Sequence, residues 1–138
     1  MASVDVYRIT DRLDDATLEV MVTRLESRAR HPRFIAMMND YFDAMQVESA
    51  AAVLDLGSGT GAAARAIARR KGFGGRVTAI DMSPYLSAAA KRLAEAEGLA
   101  GAIDFATGDS QRLHLADASF DAAVAHTLLS HVQDPMAV

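Results

Sequence analysis

The chain has 138 residues, the length of one domain, and a domain of this size buries roughly 68–70% of the surface that its unfolded chain exposes. Its 51% apolar and 23% charged residues are typical of a globular protein, and no apolar run reaches the roughly 18 residues of a membrane-spanning helix. The net charge of −4 argues against a nucleic-acid partner, the absence of cysteine excludes disulfides and thiolate metal sites, and the lack of a signal-peptide pattern predicts a cytoplasmic location.

Two amphipathic helices are predicted in the first 49 residues. Between residues 15 and 30 the apolar side chains follow the i, i+3, i+4, i+7 spacing of one helical face, at Leu18, Met21, Val22 and Leu25. The dipeptide His31-Pro32 interrupts this pattern, because the residue before a proline disfavours α conformation. A second apolar stripe follows, made of Phe34, Met38, Tyr41, Phe42 and Met45. We interpret these faces mainly as core packing and assign residues 1–49 as a helical lid segment.

Residues 53–61 form the most informative segment, an apolar strand that runs through Asp55 into glycines at positions 57, 59 and 61. Glycine tolerates positive φ and has no Cβ, so a ligand can approach the backbone closely. The small-residue helix predicted over residues 61–70 then presents free backbone N–H groups to that ligand. A strand, a glycine turn and a helix in this order predict a nucleotide-type binding site. We interpret Arg69, Arg70 and Lys71, at the end of this helix, as solvated cations.

The rest of the chain alternates short apolar runs with a helix. Strands are predicted at residues 76–80, 103–106 and 120–125, and a helix at 84–97 with Ser83 as its N-cap, Pro84 at its first position and Gly98 just after its end. Such alternation predicts a parallel sheet with helices on both faces. The expected fold class is therefore α/β, with a doubly wound parallel sheet.

Polar residues follow each predicted strand, at the sheet edge where ligands bind in such folds. Asp55 and Asp81 end the first two strands, Asp109 follows the third, and His126 follows the fourth. An aspartate at one such position usually caps a turn, but acidic residues at three successive strand ends favour a binding site. The sequence therefore predicts that the three carboxylates converge on one edge.

At this point the chain resembles the class I S-adenosylmethionine-dependent methyltransferases, and among them the small-molecule branch of ubiquinone and menaquinone biosynthesis. The resemblance extends over residues 53–135. Its strongest element is Asp55-Leu-Gly-Ser-Gly-Thr-Gly61, and its last is Ser119-Phe-Asp-Ala-Ala-Val-Ala-His126 followed by Leu128-Leu-Ser-His131 and Asp134-Pro135. It implies a Rossmann-like fold of seven strands, so we expect a fold that is incomplete at its C-terminus, with residues 50–138 as the cofactor-binding half.

The resemblance also implies S-adenosylmethionine as the cofactor and a role for each motif. The methionine part of the cofactor would lie against Asp55, Gly57, Ser58, Gly59 and Gly61. Asp81 would accept hydrogen bonds from the ribose hydroxyls, since a carboxylate is an acceptor with two oxygens. Met82 would pack on the adenine, and Gly108, Asp109 and Ser110 would meet the adenine edge.

Two alternatives remain open at this stage. Gly57, Gly59 and Ala62 also satisfy the dinucleotide pattern, which makes an NAD-binding Rossmann domain the principal rival, although Asp55 lies where dinucleotide-binding proteins favour apolar residues. A chain that lacks most of the acceptor half could also be a non-catalytic S-adenosylmethionine-binding module or a fragment.

The implied reaction is direct methyl transfer to a small-molecule acceptor, with no metal. The cofactor carries the activated group, so the protein mainly orients it and excludes water. His126 is the candidate proton acceptor, although an imidazole bonded to a backbone carbonyl is the simpler interpretation. His131 follows five residues later, about 140° away on a helix of ~100° per residue, so the two histidines do not form a metal site. We further expect residues 120–125 to form an exposed edge strand that allows self-association.

Overall fold

The computed structural model describes residues 4–138, so residues 1–3 of the predicted lid segment lie outside it. Four parallel strands form one sheet in the order β3-β2-β1-β4. They are β1 (Ala52–Leu56), β2 (Arg76–Asp81), β3 (Ile103–Thr107) and β4 (Ala122–Val124). The chain order reverses beside β1, which pairs with β2 on one side and β4 on the other. The predicted parallel α/β sheet is thereby confirmed.

Four helices accompany the sheet: α1 (Asp15–Ala29), α2 (Pro32–Met45), α3 (Ala62–Ala68) and α4 (Pro84–Ala96). The break between α1 and α2 falls at His31-Pro32 as predicted, with the His31 side chain accepting a hydrogen bond from the Arg33 backbone. Ser83 caps α4 through the Leu86 N–H, and Gly98 follows that helix at φ 71°. Short 3-10 turns lie at Val6–Ile9, Val47–Ser49, Ala100–Ala102 and Pro135–Ala137.

The main core lies between the helices and one face of the sheet. Alternation along β1 sends Val53 to this face and Leu54 to the other, as the two-residue period of a strand requires. From α2, Met38 and Phe42 join this core, and both are buried, as their spacing predicted. The helix α1 packs separately, through Leu18 and Met21 on Leu86 of α4.

The alternation of strands and helices predicted helices on both faces of the sheet. In the part of the chain that the structure describes, no α-helix packs on the second face. Leu54, Leu56 and Ile80 pack there under residues from irregular segments. Between β3 and β4 the chain carries too few apolar residues at helical spacing, and Leu113 and Phe120 alone reach this face before the next strand.

The strand β4 is shorter than the predicted span of residues 120–125. Phe120 leaves the strand line to pack on the second face, and the Asp121 carboxylate accepts the backbone N–H groups of Ala51 and Ala52 at 2.8 and 2.9 Å. Pairing with β1 therefore begins at Ala122 and ends at Val124, so Ala125 lies beyond the strand.

Ion pairs hold the helices to one another. The buried Arg65 of α3 binds Glu26 of α1 at 2.5 Å and also binds Glu97, just after α4. The interpretation of Arg70 as a solvated cation is wrong, because α3 ends at Ala68 and the Arg70 guanidinium turns back to bind acidic residues of the N-terminal segment.

Candidate functional site

One cavity of about 730 Å³ opens at the carboxyl ends of the strands. It is lined by nine of the ten predicted cofactor-binding residues and by the candidate proton acceptor. These are Asp55, Gly57, Ser58, Gly59, Asp81, Met82, Gly108, Asp109, Ser110 and His126. The convergence predicted from four separate strand ends is therefore present in the folded chain.

The glycine turn after β1 forms the floor of this cavity. Gly57 and Gly59 have φ values of 64° and 54°, in the left-handed region that other residues rarely adopt. A Cβ on Gly57 would lie 2.6 Å from Leu128 Cδ1, so the chain after β4 returns to cover this turn. The Ser58 backbone N–H donates to the Ile80 carbonyl at 3.0 Å and ties the turn to β2.

Gly61 is the one predicted cofactor-binding residue outside the cavity lining. It caps the start of α3 at φ 74°. A Cβ there would lie 3.2 Å from both Ala90 of α4 and the Phe105 ring of β3, which is closer than ordinary contact. In this fold Gly61 therefore permits α3 to pack closely on its neighbours.

Asp55 is a buried carboxyl group at the end of β1, with 1% of the residue exposed. Its Oδ2 is buried and has no hydrogen-bond partner among residues 4–138. Burial raises the pKa of Asp55 to about 7. A hydrogen bond from the Ala64 backbone opposes this effect, and the negative charge of Asp81 adds to it. An unpaired buried oxygen of this kind is costly unless a ligand supplies a donor.

Asp81 lies beside the same turn and organises it. One carboxylate oxygen accepts the Gly59 N–H at 2.8 Å, and the other accepts the Ser83 N–H at 2.9 Å. Burial raises the pKa of Asp81, and these two hydrogen bonds oppose that effect. A carboxylate offers about four lone-pair sites, so Asp81 can cap the turn and still accept hydroxyl groups of a ligand.

The residues after β3 form the rim of the cavity. The Gly108 N–H donates to the Asp81 carbonyl at 2.9 Å, which fixes this loop against β2. The Asp109 side chain is exposed and accepts the Gln111 N–H at 2.9 Å. Asp109 thus caps a turn, the commoner role of a single aspartate, at the same time as it lines the cavity.

His126 follows β4 and presents its ring to the cavity. The expected bond to a backbone carbonyl is wrong: the partner of Nδ1 is the Tyr41 hydroxyl of α2, at 3.2 Å. Nε2 is buried and unpartnered within residues 4–138. Burial, with a smaller effect of the Arg28 charge, lowers the pKa of His126, so the ring is neutral at pH 7.

The N-terminal helices contribute residues that the sequence did not single out as site residues. Arg28 of α1 lines the cavity, and its guanidinium lies 5.2 Å from the centre of the Phe34 ring. That ring meets His126 edge-on at 4.7 Å. Within residues 4–138 no acidic side chain lies within ion-pair distance of Arg28, so a cation faces the cavity beside the neutral histidine. The sequence did contain one signal for Arg28. It lies three residues after Leu25 on the same predicted helix, so the two side chains share a helical face, and both line the cavity.

His131 does not lie on a helix, contrary to the spacing argument. Residues 126–131 form turns, and the His131 Nδ1 lies 2.8 Å from Asp5 Oδ2 in the N-terminal segment. No group of three or more potential metal ligands occurs among residues 4–138. Nor does any helix in that range have the length and apolar character needed to cross a membrane.

Comparison with known protein families gives a match over residues 53–138 to a family described as "Methyltransferase domain". Among curated proteins, the ubiquinone biosynthesis O-methyltransferase of Methylocella silvestris is 37% identical over 106 residues, which cover 77% of this chain and 39% of that protein. Cycloartenol-C-24-methyltransferase 1 of Oryza sativa subsp. japonica is 32% identical over 112 residues, covering 80% of this chain and 30% of that protein.

Solved structures give the same fold. The [4+2]-cyclase SpnF aligns with a TM-score of 0.69 and 28% identity, covering 75% of this chain and 38% of that chain. The N-terminal domain of EvdMO1, solved in the presence of SAH and D-fucose, aligns with a TM-score of 0.65 and 26% identity, covering 78% of this chain and 45% of that chain. The chain thus spans less than half the length of each of these four proteins.

Proposed function

Since the chain belongs to the methyltransferase-domain family, we propose that it binds S-adenosylmethionine and acts in methyl transfer to a small-molecule acceptor. The observation that carries this proposal is the set of two buried carboxyl groups and a glycine turn in one cavity. S-adenosylmethionine is the cofactor of this family, and its ammonium and ribose hydroxyl groups are the donors that two such carboxyl groups require. A cytoplasmic location is part of the same proposal, and cell fractionation tests it.

The residues present fit this cofactor. The unpartnered oxygen of Asp55 matches the ammonium of the methionine part, which in turn would favour the ionised carboxylate. Asp81 keeps lone pairs for the ribose hydroxyls after it has accepted its two backbone N–H groups. Asp109 and Ser110 at the rim, with Met82 beside Asp81, are proposed to hold the adenine.

The bound cofactor supplies a methyl group that is already activated as a sulfonium, so the chain needs no nucleophilic residue. The glycine turn and the two carboxyl groups orient the cofactor, and the helices over the cavity exclude water from it. His126, neutral at pH 7 and with Nε2 unpartnered, is proposed to accept the proton that a hydroxyl acceptor gives up.

Thermal unfolding of the 138-residue chain tests the cofactor assignment. S-adenosylmethionine, S-adenosylhomocysteine and NAD are added separately, and a ligand at a hundred times its dissociation constant stabilises the fold by about 2.7 kcal/mol. We expect the two sulfur ligands to raise the melting temperature and NAD to leave it unchanged. A shift with NAD alone would establish the dinucleotide alternative instead.

The substitution Asp81→Asn tests whether the cofactor binds in this cavity. Loss of hydrogen bonds to a charged group costs roughly 1.5–3 kcal/mol, so the dissociation constant for S-adenosylhomocysteine should rise about ten- to a hundredfold in titration calorimetry. Asp104→Asn, an exposed change on the neighbouring strand, is the matched control. Equal affinities in the two variants would place the cofactor elsewhere.

A non-catalytic binding module remains the second candidate. One structural relative is described as a [4+2]-cyclase, so this fold also serves reactions other than methyl transfer. Both candidates predict binding of the sulfur ligands, and they differ in turnover. Release of S-adenosylhomocysteine from S-adenosylmethionine in the presence of candidate acceptors distinguishes them.

A further inference from the structure

A hydrogen-bonded pair links the helical segment to the end of β4. The Tyr41 hydroxyl of α2 lies 3.2 Å from the Nδ1 of His126, and the two rings are nearly parallel, at 23°, with centres 6.0 Å apart. The Phe34 ring meets the imidazole edge-on and fixes its plane from another side. These contacts leave Nε2 as the free ring nitrogen, and His126 is part of the cavity lining.

The direction of this hydrogen bond decides what His126 can do. If the phenol donates to Nδ1, the ring proton lies on Nε2 and the histidine is only a donor to the cavity. If Nδ1–H donates to the phenol oxygen, Nε2 presents a lone pair and can accept a proton. The position of the proton follows from the partner of the other nitrogen, so Tyr41 determines it.

Local charge favours the second arrangement. Burial, and after it the negative charge of Asp55, raises the pKa of Tyr41 to about 12, so the phenol stays protonated. The Arg28 guanidinium lines the same cavity and lies over the Phe34 ring that meets the imidazole. A cation beside the free ring nitrogen favours a lone pair there over an N–H group, so the ring proton is favoured on Nδ1, with the phenol oxygen as its acceptor.

We propose that Tyr41 is a positioning residue that accepts a hydrogen bond from the Nδ1–H of His126 and so leaves a lone pair on the buried Nε2 in the cavity wall. This inference rests on the proposed methyl transfer. In that reaction the acceptor O–H proton moves to Nε2, an acceptor oxygen lone pair forms the new O–CH₃ bond, and the S–CH₃ bond breaks with its electron pair passing to sulfur. The imidazolium that results keeps its Nδ1–H bond to Tyr41 and later returns the proton to water.

Nitrogen NMR of the histidine rings tests the proposal in the 138-residue chain. Two-bond ¹H–¹⁵N correlations distinguish a protonated from a bare ring nitrogen, and the His126 signals are identified by their loss in His126→Gln. We expect protonated Nδ1 and bare Nε2 in the unmodified chain at pH 7.5. In Tyr41→Phe the Nδ1–H signature should be lost or weakened as the proton redistributes to Nε2.

Tyr85→Phe is the matched control, because the Tyr85 hydroxyl donates to Glu19 at 2.6 Å and is not bonded to any histidine. It should leave the His126 signals unchanged. A protonated Nε2 in the unmodified chain overturns the proposal without any variant, and so does an unchanged His126 signature in a folded Tyr41→Phe chain. A role of Tyr41 in packing alone predicts that unchanged signature.

The same sample separates this proposal from the proposed function. The ring-proton position is read without cofactor, and S-adenosylhomocysteine is then titrated into the tube. Bare Nε2 with no binding would contradict the cofactor assignment and keep the Tyr41 role. Binding with a protonated Nε2 would keep the cofactor assignment and reject the Tyr41 role.

Discussion

The single residue whose environment is most unusual is Asp55, a buried carboxyl group with an unpartnered oxygen. Its pKa is raised, mainly by burial, from 3.8 to about 7. Between those values the folded chain holds a proton that the unfolded chain has already released. By linkage, the free energy of unfolding therefore falls as the pH rises from about 4 to about 7, and changes little from this group at higher pH.

We predict that Asp55→Asn removes much of this pH dependence in the ligand-free chain. The amide has nearly the same shape and no charge, so the variant should be more stable than the unmodified chain at pH 8, by on the order of a few kcal/mol. Urea unfolding at pH 5 and pH 8 measures the effect. The pKa of Asp81 is also raised by burial, so in Asp55→Asn the free energy of unfolding should still fall as the pH rises, but less steeply. The prediction would be contradicted if the free energy of unfolding fell equally steeply with pH in Asp55→Asn and in the exposed control Asp40→Asn.

Site residues on β1 and β2 could be predicted from the sequence because local chain geometry places them. A strand that ends in an aspartate and a glycine turn brings these groups to the sheet edge, and Asp81 reaches the same edge one strand later. Tyr41 and Arg28 could not be found in this way. Their contacts with His126 and the cavity depend on how α1 and α2 fold back over residues far away in the chain. Tyr41 was one member of an apolar stripe, in which nothing distinguishes a packing role from a hydrogen bond.

At the scale of elements, one buried arginine joins α1 to the rest of the domain, in addition to the packing of Leu18 and Met21 on α4. The Arg65 side chain is 4% exposed and lies between Glu26 of α1 and Glu97 after α4. Charges removed from water in this way need every partner, because the loss of one leaves the others uncompensated. An arginine among alanines on the buried face of α3 is the sequence signal for such a pair.

We predict that Arg65→Ala costs about 3–5 kcal/mol of folding stability, the usual effect of removing one partner of a buried ion pair. Arg69→Ala is the control, because that side chain is 55% exposed and, among residues 4–138, binds Glu97 alone, so its loss should cost about 0–1 kcal/mol. Urea unfolding measures both, and hydrogen exchange should show the loss concentrated in α1. Equal costs for the two variants would mean that Arg65 has no special role in holding α1.

Element boundaries followed the sequence where a local signal exists and departed from it where tertiary contacts decide. Ser83 with Pro84 starts α4 and His31-Pro32 separates α1 from α2, both through local backbone chemistry. The ends of β4 depend on pairing with β1 and on the turn toward the site. Apolar character continues through Ala125, so composition alone extends that strand too far.

At the scale of the whole molecule, right-handed crossovers between parallel strands account for α3 and α4 lying on one face of the sheet and the connection from β3 to β4 lying on the other. Successive crossovers through α3 and α4 carry the chain outward from β1 to β3, and the next connection returns to the other side of β1. The site forms at that reversal, as it does in open parallel sheets. The fold and the position of the cavity therefore share one topological cause, the reversal of strand order beside β1.

The same topology leaves β4 at an edge of the four-stranded sheet. Its backbone pairs with β1 on one side, and Ala123 is exposed. An edge strand of small apolar residues without a charge is a template for pairing with a second copy of the chain, and lysine is the residue that natural sheets use to prevent it. We therefore expect the 138-residue chain to associate through β4.

Sedimentation velocity over a range of protein concentrations tests this expectation. The unmodified chain should sediment faster as its concentration rises, and Ala123→Lys should sediment as a monomer with an unchanged melting temperature, because the added charge points to solvent in the folded monomer. Ala88→Lys, an equal change at an exposed position of α4, should still associate. A monomer at every concentration in the unmodified chain would show that a strand of three residues is too short to recruit a second sheet.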